Sequence, residues 1–250
     1  MRRERLLAAI CCLGLTAALF AGDPGRIDPD TKLDLSIDPA RFLAAATRLW
    51  QPQIAFGELQ NQAYGYLFPM GPFFLLGHAA GIPAWATGRL WQSALLVAAL
   101  LGCRALARRL GIGTPATRVV GALAYALSPF VLSHLGPISS EAQPECLAPF
   151  VLLPLVAPEA PWRPRRAAAA SGVALLLAGA VNASATIAVL VPPLLWFTLA
   201  GRNEVPQARS PAVQAGSHRR LLGWWVLAVV LATLWWAVPL VLLGRYSAPF

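Results

Sequence analysis

Long apolar runs without charge, set between blocks of arginine, constrain this chain more than any other feature. Leu221–Leu243 (LLGWWVLAVVLATLWWAVPLVLL) has no charged residue, and related runs occupy Leu6–Ala21, Leu90–Leu106, Val119–Leu135, Cys146–Val156 and Ala167–Ala200. About 20 apolar residues span the hydrocarbon layer as helix. Hydrophobic residues make up 57% of the 250 positions and charged ones only 12%, about half the charged share of an ordinary soluble domain. A cytosolic globular enzyme and a disordered chain are both excluded; the composition is that of an all-α, multi-pass membrane protein.

The net charge of +9 would suggest nucleic acid in a soluble chain. Here the basic residues, all arginine but Lys32, alternate with the apolar runs, which is a topology signal rather than a nucleic-acid face. The first run follows MRRER and resembles a signal peptide, but Leu19-Phe20-Ala21 is a poor cleavage site. At about 24 Å of helix it serves better as an uncleaved first span. The 34-residue stretch Ala167–Ala200 is too long for one crossing, at about 51 Å, and Val181-Asn182-Ala183-Ser184 lies at its middle. Two short helices meeting near Asn182 are expected. With seven spans and a cytoplasmic N-terminus, fourteen basic and three acidic residues fall inside, against six basic and eight acidic outside. This split obeys the positive-inside rule. Cys146–Val156 is the weakest span, short and interrupted by Pro149 and Pro154, and is expected to bend or re-enter.

One long outer segment, 22–88, follows the first span. It opens on DPGRIDPDTKLDLSIDP, with carboxylates at Asp23, Asp28, Asp30, Asp34 and Asp38. Asp38 before Pro39 fits a helix N-cap with proline at the first helical position. Asp30 and Asp34 are either solvated loop charges or carboxylates held at the water–lipid boundary, where one can act as a general base. ARFLAAATRLW then gives a short helix with Phe42, Leu43, Ala46, Leu49 and Trp50 on one face, expected to lie in the interface plane. Gln60, Asn61, Gln62, Tyr64 and Tyr66 supply uncharged hydrogen-bonding groups suited to sugar hydroxyls, or simply a polar loop with interfacial aromatics. Pro69, Gly71 and Pro72 leave Phe73–Gly81 as a second surface or re-entrant helix, with His78 read as an interfacial packing residue ahead of a base. Two further outer points face the same side. The loop GPISSEAQPE carries Ser139, Ser140, Glu141 and Glu145, and Asn182 is either a turn residue or a ligand contact. The four cysteines, Cys11, Cys12, Cys103 and Cys146, lie in or beside apolar runs without metal-ligand spacing, so neither a disulfide nor a metal site is expected of them.

The strings DPDTKLDL, FLAAATRLW, QNQAYGYLFPMGPFF, RLWQS, RVVGALAYALSP, GPISSE, GAVNASAT and ATLWWAVPLVLLGRYSAPF resemble the amino-terminal membrane region of the actinobacterial α-(1→3)-arabinofuranosyltransferases, of the D type and the GT-C class. The resemblance runs from residue 28 to 250. It implies a partial GT-C-type fold in a plasma-membrane protein whose active site is on the outer face. It also implies a decaprenyl-phosphoryl-arabinofuranose donor and a cell-wall arabinan acceptor. A first-loop carboxylate would deprotonate the acceptor hydroxyl, and the match puts that role on Asp30 ahead of Asp28 or Asp34. Lys32 or Arg41 could then stabilise the leaving phosphate, though Lys32 serves equally as a headgroup anchor. Gln60, Asn61, Gln62, Tyr64, Glu141 and Asn182 complete the candidate substrate contacts. No cofactor is expected; a divalent metal is compatible with the chemistry but not indicated by the sequence. Family members continue past Phe250, so residues 1–250 are expected to be the N-terminal part of the transferase domain, with independent activity in doubt. The rival is a transport or assembly protein, which would place ionisable groups at mid-membrane; the span interiors here carry almost none. A third reading is an inactive scaffold.

Overall fold

The computed structural model describes residues 2–28, 30, 33–51, 57–59, 63–156, 164–200 and 211–246. It is a helical bundle. Helix α1 (Arg2–Phe20) leads into an irregular strip, then two short helices, α2 (Leu33–Ile37) and α3 (Pro39–Ala46). Asp38 caps α3 as expected, its carboxylate accepting the Arg41 N–H at 3.0 Å with Pro39 at the first position. The helix stops at Ala46, so Leu49 and Trp50 do not share its face. Trp50 opens instead a two-residue antiparallel ladder, β1 (Trp50–Gln51) with β2 (Glu58–Leu59), Trp50 opposite Leu59. A 3₁₀ turn at Ala63–Leu67 and α4 (Met70–Ala79) follow.

Helix α5 (Ala84–Arg109) is the central element, packed by α1, α4, α6 and α8. Its partners fix the directions of the bundle. Arg104 meets Glu4 at 3.3 Å and Trp85 meets Phe20 at 6.1 Å, so α1 and α5 are antiparallel. The stretch expected as one span over Val119–Leu135 is two helices, α6 (Pro115–Ala126) and α7 (Pro129–Leu135), bent by 46°. The cause is local: proline disfavours helical backbone at the residue before it, and Ser128 is extended there, its hydroxyl capping α7 through the Val131 N–H.

The stretch GPISSEAQPE, expected as a loop, turns helical at Ser139. Helix α8 (Ser139–Leu152) runs through Pro144 and Pro149 and lies parallel to α5, with Trp91 beside Ser139 and Gly102 against Phe150. Helix α9 (Pro164–Leu177) returns antiparallel to α8, since Gln143 donates to the Leu177 carbonyl and Ser171 to that of Val151. The chain then reverses at 178–182, as the central asparagine suggests. Phe197 of α11 (Val191–Ala200) packs with Ala168, and Val189, just past α10 (Ala183–Ala188), packs with Ala174 and Leu175. Helix α12 (Pro211–Tyr246) lies parallel along α9, Trp225 on Ser171 and Trp236 near Ala180.

Two ends result. Arg104, Arg108, Arg109, Arg118, Arg165, Arg166, Arg219 and Arg220 sit at the end where α5 and α8 finish and α6, α9 and the apolar part of α12 begin; the residues after α1, the start of α5, Ser139 and Asn182 sit at the other. Among the described residues, α5 and the 218–246 part of α12 are long and apolar enough to cross a membrane, or three spans if α6 and α7 count as one. The membrane character expected from composition therefore stands, while the count of seven crossings exceeds what length and apolarity give.

Small residues set how closely the elements approach. A Cβ on Gly65 would lie 2.7 Å from the Ala180 carbonyl oxygen and 2.8 Å from the Val181 Cα, backbone that cannot step aside, whereas one on Gly223 in α12 meets nothing. Gly65→Ala is expected to cost about 1–3 kcal/mol and lower the melting temperature of the detergent-solubilised protein. Gly223→Ala should leave the melting temperature unchanged or raise it, because alanine gains about 1 kcal/mol of helix propensity over glycine.

Candidate functional site

The residues after α1 have no regular structure of their own, so their course depends on what they bind. Helix α5 provides the grip. Trp85, Gly88, Arg89 and Gln92 recur at the spacing that shares one helical face. Arg89, buried, donates Nη1 to the Gly22 carbonyl at 3.2 Å and Nη2 to that of Asp23 at 2.7 Å, with its guanidinium over the Trp85 ring at 5.1 Å. Glycine at 22 allows this approach: a Cβ there would meet Arg89 Nη2 at 3.3 Å. One turn further on, Gln92 Nε2 donates to Asp28 Oδ2 at 3.0 Å.

Asp30 is held by a different helix. Its Oδ1 accepts the Ser139 N–H at 3.2 Å and its Oδ2 accepts the Ser139 hydroxyl. Ser139 is the first residue of α8, so a carboxylate sits where that helix presents unsatisfied N–H groups and the positive end of its dipole. Ser139 is fully buried, and its Oγ accepts the Trp91 indole N–H at 3.1 Å. Between the strip, α4 and α5 lies a small, open-mouthed pocket. Asp28, Asp30 and Gln92 line it with Ser36, Trp85, Trp91 and Phe74. Two carboxylates and an amide thus face three aromatic rings.

The other sequence candidates are placed elsewhere. Asp34, in the first turn of α2, is exposed and does not line the pocket, although Ser36 two residues on does. Arg41 is exposed on α3, its backbone N–H used by the Asp38 cap. Tyr64 is buried in the 3₁₀ turn against Ala180 and Trp236, and that burial raises its phenol above the usual range, keeping it a neutral hydroxyl. Glu141 and Asn182 meet each other: Asn182 Nδ2 donates to Glu141 Oε1 at 2.7 Å, and Glu141 Oε2 lies 3.4 Å from His134 Nε2. Asn182 is also the N-cap of α10, its Oδ1 accepting the Ser184 and Ala185 N–H groups, so the turn role is filled. Lys32, Gln60, Asn61 and Gln62 lie outside the described residues. Among the described residues no three His, Cys, Asp or Glu side chains are grouped to hold a metal ion.

Trp85, Trp91, Gln92 and Ser139 are pocket or anchoring residues that the sequence did not mark as such. The signal for the α5 group was present: RLWQS breaks an apolar run with polar residues one helical turn apart. Ser139 was named only as part of the outer stretch GPISSEAQPE; its grip on Asp30 could not be read, because it depends on where α8 starts.

The model of one family, alpha-(1->3)-arabinofuranosyltransferase, N-terminal GT-C domain, matches residues 14–250. The chain belongs to this family. It is 48% identical over 237 residues to the alpha-(1->3)-arabinofuranosyltransferase of Mycobacterium tuberculosis, and 47% identical over 232 residues to that of Mycolicibacterium smegmatis. The matches cover 94% and 92% of this chain but 16% of each relative. A cryo-EM structure of the arabinofuranosyltransferase AftD from mycobacteria superposes with a TM-score of 0.84 at 46% identity, over 100% of this chain and 18% of that one. The mutant R1389S class 1 structure gives 0.85 at 46%, over 99% and 19%. This α-(1→3)-arabinofuranosyltransferase-family domain thus spans roughly a sixth of its full-length relatives, and it is a membrane protein of the GT-C class.

In this GT-C domain the strip is only as ordered as its grip. Each hydrogen bond from a charged donor is worth about 1.5–3 kcal/mol. Arg89→Met, which removes two of them and keeps the aliphatic stem, should speed amide hydrogen exchange over residues 22–28 by at least about tenfold and leave the α9–α12 packing protected. Unchanged exchange over 22–28 would show that Arg89 does not hold the strip.

Proposed function

We propose that this domain forms the donor side of a membrane arabinofuranosyltransferase, taking arabinofuranose from a polyprenyl-phosphate carrier such as decaprenyl-phosphoryl-arabinofuranose and passing it to cell-wall arabinan. The observation that carries this is the pocket, where Asp28 and Asp30 face aromatic walls at the end of the bundle away from the arginine blocks. Trp85, half-buried at the pocket, offers an apolar ring face to a sugar or the first units of a lipid chain, backed by the buried Trp91 and Phe74; Asp28 and Gln92 suit the sugar hydroxyls.

Asp30 is the general base in this reading. An acceptor hydroxyl oxygen attacks the anomeric carbon while its proton passes to Asp30. The bond from that carbon to the phosphate oxygen breaks, and the polyprenyl phosphate leaves with the electron pair, in a single inverting displacement. The two hydrogen bonds from Ser139 fix the plane of the carboxylate, which is what a base needs to meet one oxygen at about 2.6–3.2 Å. Asp34, outside the pocket, drops from the catalytic candidates. Arg41, exposed on α3 outside the pocket, is the less favoured of the two cations, and Lys32 supplies the charge for the leaving phosphate in this reading. Seven crossings, a cytoplasmic N-terminus and an outward-facing pocket in the plasma membrane complete the proposal, supported by the gathering of arginine at the opposite end. The transport or assembly reading gains nothing from this geometry, because its carboxylates lie at a bundle end beside a pocket and not at mid-span.

In a full-length family member carrying this domain, Asp30→Asn should lower the rate of transfer from decaprenyl-phosphoryl-arabinofuranose by about 10²–10⁴-fold, while Asp34→Asn stays within about threefold. Full turnover by Asp30→Asn rejects the base assignment. For the orientation, Asp34→Cys in intact cells should react with a membrane-impermeant maleimide; labelling only after permeabilisation would invert the topology.

A further inference from the structure

The bonding order around Ser139 has a direction that chemistry fixes. An indole N–H can only donate, so at 3.1 Å Trp91 Nε1 occupies a lone pair of Ser139 Oγ. The Ser139 hydroxyl hydrogen is thereby turned away from Trp91, and the acceptor in reach is Asp30 Oδ2. The Ser139 backbone N–H, at the first position of α8, donates to the other oxygen. Ser139 consequently presents two donors to Asp30, one set by the helix and one by the tryptophan. Trp91 is itself fixed among Phe73 and Phe74, with ring centroids at 5.2 and 6.4 Å, and is buried like Ser139.

We infer that Ser139, with its hydroxyl oriented by Trp91, is the positioning residue for Asp30: it holds the carboxylate as a hydrogen-bond acceptor at both oxygens and directs an incoming proton to the side that faces the pocket. This rests on the reading of Asp30 as the base. Ser139 touches neither donor nor acceptor; it acts through Asp30. Trp91 has two roles, a pocket wall through its ring and an orienting donor through its N–H. No bond to carbon or phosphorus changes at Ser139, and its proton stays on its own oxygen throughout.

The test uses a full-length family member carrying this domain, with transfer measured from decaprenyl-phosphoryl-arabinofuranose in four variants: Ser139→Ala, Trp91→Phe, the two combined, and Asp30→Asn. Ser139→Ala keeps the backbone N–H and the pocket walls, so kcat should fall by about 10-fold or more while the donor KM stays within about twofold. Trp91→Phe should lower kcat less, and in the Ser139→Ala background it should add no further loss in kcat, because its N–H no longer has a hydroxyl to orient. A wild-type kcat in Ser139→Ala overturns the inference, as does a loss that falls on donor KM instead of kcat. Fully additive kcat losses in the double variant assign Trp91 to the wall alone and overturn the relay. Full turnover by Asp30→Asn rejects the base reading itself; Asp30→Asn inactive with Ser139→Ala unaffected rejects only the positioning role.

Discussion

The hydrogen bonds that α5 and α8 make to the strip after α1 are what the candidate site depends on. Pro24, Gly25 and the closely spaced aspartates offer this segment no helix or ladder of its own, only local contacts such as Arg26 with Asp23, so the Asp28 and Asp30 carboxylates are steered by donors on α5 and α8. Arg89 takes two of its carbonyls, Gln92 takes Asp28, and Ser139 takes Asp30 at both oxygens. These donors are buried or half-buried, where a hydrogen bond is stronger than in water and an unmade one costlier. The helices α5 and α8 run parallel, so their starts lie at the same end of the bundle, and one strip can be held by both.

The rest of the bundle exists to keep those two helix starts in register. In lipid, helices gain little from leaving water and rely on close packing and interhelical hydrogen bonds. The chain uses both. Gly102 lies against Phe150 where α5 crosses α8, and Gly172 against Ala228 where α9 crosses α12, each without room for a side chain. Trp225 donates to Ser171 at 3.0 Å, and Ser171 passes its own hydrogen to the Val151 carbonyl at 2.6 Å, tying α12, α9 and α8 together. Trp91, Ser139 and Asp30 repeat this order of donors. In the first case the last acceptor is a backbone carbonyl and the result is rigidity alone; in the second it is a carboxylate on a pocket, and the same rigidity acts on a reactive group.

Much of this was legible in the residues. Asp38-Pro39 announced the α3 cap, the length of Ala167–Ala200 with its central asparagine announced a reversal, and the arginine blocks announced two chemically distinct ends. Where reading failed, a local boundary was decided by a neighbour or by one residue. The loop expected at GPISSEAQPE is helix from Ser139, where Asp30, 109 residues away, satisfies the first N–H of α8. Val119–Leu135 is continuous in hydropathy, but Ser128-Pro129 breaks it sterically, and hydropathy does not register that. Glu141 and Asn182 satisfy each other, a pairing their spacing of 41 residues conceals.

By itself, then, the sequence determined the solvent this chain folds in, its helical class, the reversal near Asn182 and the family whose strings it carries, because each follows from the composition or order of neighbouring residues. Which of five closely spaced aspartates would face a hollow was decided only by the tertiary structure. Side chains on an irregular strip have no period to read, and their directions come from Gln92 and Ser139, donors on helices remote in sequence that pack together only when the bundle closes.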